Sequence, residues 1–158
     1  MMIDDLAVAR ALHVLSLVHW IGGVAMVTTI VLPRARALPD ADAALAAFEA
    51  FEGSFAAQAR LSISLAGVSG LYMLNKLQAW GRLLDPTFWW LELMILVWAA
   101  FALMVFGLEP LIVHRLFHDY ARRDKERAFA LAINLHAVAA ISTVAIIAGV
   151  LGTHGAIP

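Results

Sequence analysis

Between Ala11 and Leu32 the chain runs for 22 residues without an Asp, Glu, Lys or Arg. As a helix that run is about 33 Å long, enough to cross the roughly 30 Å hydrocarbon layer of a bilayer. The feature recurs. Ala128 to Gly152 is also uncharged, and Thr87 to Leu108 is interrupted only by Glu92 near its start. Pro33, Arg34 and Arg36 are expected to end the first run, while Pro86 suits a helix start and Glu109-Pro110 a kink or stop. The remaining run, Leu61 to Asn75, covers only 15 residues, or roughly 22 Å at helical rise. Arg60 and Lys76 flank it and can snorkel to the two interfaces. The segment before it, Asp42 to Glu52, is rich in helix formers. One long helix that starts outside the membrane and runs through it is therefore expected; a separate surface helix followed by a short span is the alternative.

Composition agrees. Of 158 residues, 63% are hydrophobic and 15% charged, against about 45–50% and 25% in an average soluble domain. A chain of this size cannot hide that excess from water in its own core, so lipid is the solvent that accepts it. The acidic start, Met1-Met2-Ile3-Asp4-Asp5, differs from the basic start of a secretory signal, and the first run reads as a mature transmembrane helix. The expected fold is all-α: residues 1–158 form one integral membrane four-helix bundle, up-down-up-down, with spans at about 11–32, 58–77, 87–110 and 128–152. Four spans put both termini on one side. The first and third connections hold eight of the 11 basic residues, and the opposite side holds Arg10, Lys76 and Arg82. The positive-inside rule then places both termini outside the cytoplasm, which for a bacterial inner membrane is the periplasmic side. A net charge of −1 gives no sign of a nucleic-acid partner. With no cysteine, thiolate metal sites, iron–sulfur clusters and covalent haem attachment are excluded.

Polar side chains inside the spans are costly and mark candidate sites. His13 lies near the outer end of the first span, and His19 lies six residues further in, roughly 9 Å deeper and turned by about 120°. The two are not expected to grip one metal together. His136 lies roughly 13 Å in from Arg127 on the last span. Each of His19 and His136 reads equally as a site residue or as a neutral imidazole bonded to a neighbouring helix, with Ser16, Ser142, Thr143 and Asn134 as available partners. His154 reads as interfacial, while His114 and His118, four apart at the inner end of the third helix, match the spacing of helical metal ligands but read as solvated or lipid-facing beside Arg115, Arg122 and Arg123. Glu92 reads as a metal ligand, a proton donor or an interfacial carboxylate. Arg60 reads as a lipid-headgroup contact or a partner for an anionic cofactor group such as a haem propionate. Trp80, Trp89 and Trp90 fit an interfacial aromatic belt. Gly22-Gly23, Ala66 with Gly70, and Ala148 with Gly152 fit the small-residue spacing of close helix contacts.

Bundles of this kind hold cofactors between facing helices. Non-covalent haem b held by imidazoles is the natural candidate, with His13, His19 and His136 as ligands and Arg60 beside a propionate. Copper is second, with His13, His19, His136 and Glu92 as donors and Met26, Met73 or Met94 as soft ligands.

The first span reads Ala11-Leu-His13-Val-Leu-Ser-Leu-Val-His19-Trp20-Ile-Gly-Gly23 and leaves through Leu32-Pro33-Arg34. In His13, Trp20, Gly23 and Leu32-Pro33-Arg34 it resembles a superfamily of small bacterial membrane proteins. That superfamily includes the HemJ-type protoporphyrinogen oxidases and the membrane domains of CopD-type copper-resistance proteins. A basic residue before Gly67-Val-Ser-Gly70-Leu-Tyr72 extends the likeness over about the first half of the chain. The resemblance implies that His13 is a haem ligand. The HemJ-type proteins carry a lysine early in the third helix, implicated in haem binding and activity; Glu92 stands at that place here. His19 and His136 lie outside the shared pattern.

Two functions of different class follow. One is an inner-membrane b-type haem protein with an electron-transfer or HemJ-like oxidoreductase role. The other is a CopD-like copper-handling protein. An accessory subunit of a larger membrane complex, with histidines that only pack, is a third. The partners expected are the lipid bilayer and either other membrane redox subunits or further copies of the chain.

Overall fold

A computed structural model of the chain describes residues 4–107, 114–140, 148, 149, 151 and 152, with side chains left undescribed at 114, 115 and 136–140. Among these residues the structure is helical throughout, without a strand. Helix α1 (Asp5–Met26) starts at an Asp4 cap, whose carboxylate accepts from the Leu6 N–H at 3.0 Å. It continues through a π-helical turn (Val27–Val31) into α2 (Leu32–Arg36).

Pro33 therefore does not end the first helix as its residue type suggested. Proline lacks the N–H that an α-helix would spend four residues back. The wider π turn just before it already loosens that ladder, with the Leu32 N–H reaching Val27 O. The hydroxyls of Thr28 and Thr29 donate to the carbonyls of Val24 and Ala25 at 2.8 and 2.7 Å. The stop comes instead at Leu38-Pro39, where proline disfavours helix in the residue before it.

Asp40 then caps α3 (Ala41–Lys76), its carboxylate accepting from the Ala43 N–H at 2.7 Å. These 36 residues form one helix about 54 Å long, so the single-long-helix expectation describes it. It ends at Gln78, which sits at φ 50°, a left-handed conformation more usual for glycine. Two short 3₁₀ turns, Ala79–Leu84 and Pro86–Phe88, lead into α4 (Trp89–Ala102). The helical path from Pro86 is described as far as Gly107, and the expected boundary at Glu109-Pro110 lies outside the described residues. Helix α5 (His114–Arg123) is an element the sequence reading placed in a basic turn. Asp124 separates it from α6 (Lys125–Ala140) and caps the latter through the Arg127 N–H at 3.1 Å.

Among the described residues two stretches are long and apolar enough to cross a membrane: Asp5–Arg36 and Pro86–Gly107. Their outer faces carry large apolar side chains without cover, among them Leu15, Val18, Leu96 and Leu103, each at least 64% exposed. Apolar surface on that scale is not left open to water by a stable monomer.

Helices α1 and α3 run antiparallel and form the main hairpin. At one end Asp5 accepts from the Lys76 ammonium at 2.6 Å and from the Tyr72 hydroxyl at 2.7 Å. At the other, Arg36 donates to Glu126 on α6 at 2.7 Å. The Lys76 contact, with Tyr72 adding to it, holds the Asp5 carboxyl below the usual carboxylate range. Its stabilising effect is complete above about pH 4 and is lost as pH falls through the lowered value. Both side chains of the ion pair are exposed, so the effect is small. Between pH 6 and pH 3, Asp5→Asn is expected to lose less melting temperature than the unaltered chain; equal losses would show that the clasp contributes nothing.

The interior divides in two. Towards the α2 end, Val27, Leu32, Ala35, Ala44, Leu45, Ala121 and Ala128 enclose Phe129. The Phe129 ring meets Phe117 at 5.3 Å and Phe48 at 6.5 Å, both nearly edge-on. Midway along the hairpin, Trp20, Ala59, Ile63 and Val105 form a second cluster, with Trp20 edge-on to Phe101 at 4.5 Å.

Candidate functional site

The polar residues of the hairpin lie on one strip of α3, from Gln58 to Gly70. Ser62, Ala66 and Ser69 are spaced four and three residues apart and so share a face, and all three are buried. Glycine at 67 and 70 lets neighbours come close. A Cβ at Gly67 would run into the Trp98 ring of α4, whose indole N–H donates to Ile63 O at 2.9 Å. A Cβ at Gly70 would lie 3.2 Å from Cε1 of His13.

His13 is half-buried on α1 and turns its ring to this strip. Its Nδ1 lies 2.9 Å from Ala66 O and 3.1 Å from Ser69 Oγ. A carbonyl can only accept, so Nδ1 carries the proton. Ser69 spends its own proton on Leu65 O at 2.5 Å and accepts from the same Nδ1–H. In the neutral ring the proton is then absent from Nε2, which presents a lone pair and takes no partner among the described residues. Imidazoles that ligate metals are arranged in this way: one nitrogen donates to a backbone carbonyl and fixes the tautomer, and the other faces the metal.

His19 is held differently. Its Nδ1 lies 2.7 Å from Ser62 Oγ, and Ser62 donates to Gln58 O at 3.0 Å. Nδ1 is therefore again the donor. Here, however, the Gln58 amide donates to Nε2, so both ring nitrogens are engaged. The two histidines grip α3 at successive points, His13 at Ser69 and His19 at Ser62, so both rings meet the same helix although six residues on α1 turn them about 120° apart. Ser16, a partner the sequence offered to His19, instead donates back to His13 O at 2.8 Å within its own helix, and Ser142 and Thr143 lie outside the described residues. Ser62, Ser69 and Gln58 are the residues missed. Their seven-residue recurrence, Ser62 to Ser69, was a readable sign that one face of α3 is polar.

The other candidates fall elsewhere. Arg60 is half-buried on α3, six residues before Ala66 and so about 9 Å along the helix. Glu92 is exposed in the first turn of α4. His136 lies on α6, which packs beside α1, and its side chain lies outside the described residues, as does His154. Met73 and Met94 are half-buried, and Met94 packs where a Cβ at Gly149 would stand. His118 pairs with Glu49 of α3 at 3.2 Å and so ties α5 to the hairpin, a tighter role than a solvated pair. Trp90 is buried against Gly152, while Trp80 and Trp89 stay exposed as a belt would require. Among the described residues no three His, Asp or Glu side chains converge on a point where a metal ion would sit.

Gly70 offers a local probe of the His13 pocket. Gly70→Val is expected to push the imidazole off Ala66 O, whereas Gly22→Val, where a Cβ meets nothing within 4 Å, leaves the ring in place. The His13 ring resonances in a nuclear magnetic resonance spectrum report the difference; equal shifts for the two variants would contradict this packing.

Comparison of the chain with protein-family models, with curated proteins and with solved structures returns no match.

Proposed function

We propose that the chain is a four-span protein of the bacterial inner membrane that binds haem b, with His13 as an axial ligand and a redox role. The observation that carries this reading is the His13 tautomer. A neutral imidazole whose Nδ1–H is committed to Ala66 O and Ser69 Oγ, and whose Nε2 takes no partner among the described residues, is the donor a b-type haem takes. A chain without cysteine needs such a donor, because thiolate ligation and covalent attachment are closed to it.

The remaining residues take roles consistent with their places. His136 would be a further imidazole holding the haem in this reading, and Arg60 would offer a cation to its carboxylates. His19, with both nitrogens engaged, fastens α1 to α3. Bound haem supplies reversible one-electron chemistry at iron. The protein's part is to fix the ligand nitrogen, to keep water out with the Trp20, Ile63 and Phe101 cluster, and to hold the imidazole orientation through Ser69.

The membrane placement rests on the two long apolar stretches and on the uncovered apolar faces; in this reading α3 and the last uncharged run serve as the second and fourth spans. Arginine-rich α5 and the α2 exit then lie on the cytoplasmic side, with both termini in the periplasm. A redox role implies a membrane partner that gives or takes the electron.

The test is an ultraviolet–visible spectrum of detergent-purified protein made with haem in ample supply, oxidised and then dithionite-reduced. A Soret band with sharp reduced α and β bands supports the reading. A featureless spectrum removes haem and turns the search to copper or to a missing partner subunit.

A further inference from the structure

At the end of the hairpin opposite Asp5 and Lys76, a groove of about 330 Å³ runs between α1–α2 and α3. Ile30, Val31, Ala35, Leu38, Ala47 and Phe51 line it, all apolar, and Arg34 stands at its rim. Of the described cations at this end Arg34 alone lines the groove; Arg123 on α5 is exposed and does not line it, and four others are engaged. Arg36 bonds Glu126, Arg122 pairs with Asp42, Arg127 pairs with Asp124, and Lys125 donates to Leu38 O. Arg34 is exposed and makes no ion pair among the described residues. An apolar trough with one uncommitted guanidinium at its mouth is complementary to an amphiphile with an anionic head. In the orientation proposed above, this end faces the cytoplasmic leaflet, where anionic lipids draw basic residues.

We infer that this groove is a binding site for an anionic phospholipid, with one acyl chain lying along Ile30, Ala47 and Phe51 and the phosphate held by Arg34. The guanidinium fork suits two phosphate oxygens at once. The tail replaces lipid that the groove walls would otherwise meet only loosely. The site rests on the membrane reading but not on haem.

The test uses the full chain in detergent, with bound lipid counted by native mass spectrometry. Phosphatidylglycerol and phosphatidylcholine with identical acyl chains are offered in competition, and inorganic phosphate is added as a separate competitor. The unaltered chain is expected to retain phosphatidylglycerol by roughly fivefold over phosphatidylcholine, the effect of one interfacial basic residue. Arg34→Gln brings the ratio near one, Arg34→Lys keeps most of it, and Ala47→Trp, which fills the trough, lowers retention of both lipids. Arg82→Gln, at the other end of the chain's hairpin, leaves the preference unchanged. A preference that survives Arg34→Gln, or one that millimolar phosphate abolishes as well as the lipid does, overturns the site. Extraction of the chain from membranes by alkaline carbonate overturns it together with the membrane reading. A chain retained in membranes that shows no preference overturns the site alone.

Discussion

His13→Ala is expected to abolish the Soret band, while His19→Ala leaves it close to full height. The contrast follows from the hydrogen bonds and not from depth. Both imidazoles donate from Nδ1 into α3, but Gln58 occupies Nε2 of His19 and nothing described occupies Nε2 of His13. On the haem proposal, removing His13 takes away a ligand. Removing His19 takes away two interhelical hydrogen bonds, a loss of about 1–2 kcal/mol for polar contacts within a helix bundle. His19→Ala therefore lowers the melting temperature without bleaching the protein. Ser69→Ala sits between the two, because Ala66 O remains to orient the ring; haem affinity falls by no more than about tenfold, the lower end for a residue that positions a ligand. Haem content per chain and melting temperature, measured on all three variants, separate the roles. Equal loss of haem in His13→Ala and His19→Ala would refute the distinction.

The second large effect concerns the fold. Phe129→Ala is expected to cost about 3–5 kcal/mol, the range for truncating a fully buried aromatic ring. Phe129 is 0% exposed and packs against Phe48 of α3 and Phe117 of α5, so its loss opens a hole where three helices meet. Leu96→Ala, by contrast, trims a side chain that is 66% exposed on α4 and is expected to change stability by less than about 0.5 kcal/mol. Reversible unfolding in mixed detergent measures both. A small effect at Phe129 would mean that α5 and α6 do not close over the hairpin as described.

Helix positions were largely legible because long uncharged runs and asparagine- or aspartate-type caps are local signals. Asp40, Asp85 and Asp124 each accept from a backbone N–H at a helix or 3₁₀ start, and the run of helix formers from Asp42 to Glu52 announced α3. Pro33 misled because its consequence depends on the five residues before it: a π turn there lets the helix pass. Helix α5 was hidden by its charge, since a short amphipathic helix whose packed face holds little beyond Phe117 and Ala121 reads like a basic connection. The candidate site was legible by residue type only. His13 and His19 both stood out as polar groups in an apolar run. Which of them keeps a nitrogen unspent depends on Gln58, Ser62 and Ser69, which are 39 to 56 residues away along the chain. That register is set by the antiparallel fit of Gly23 against Phe55 and Gly70 against His13, a tertiary fact with no local signature.

The account turns on His13 Nε2, and chemical rescue addresses that nitrogen directly. His13→Gly, purified in detergent, is expected to lack the Soret band and to regain it with reduced α and β bands when millimolar imidazole is added. The same imidazole should leave the spectrum of Ser69→Ala unchanged. Haem retained by His13→Gly without imidazole, or no recovery with it in a protein whose circular dichroism remains helical, would contradict His13 as the ligand.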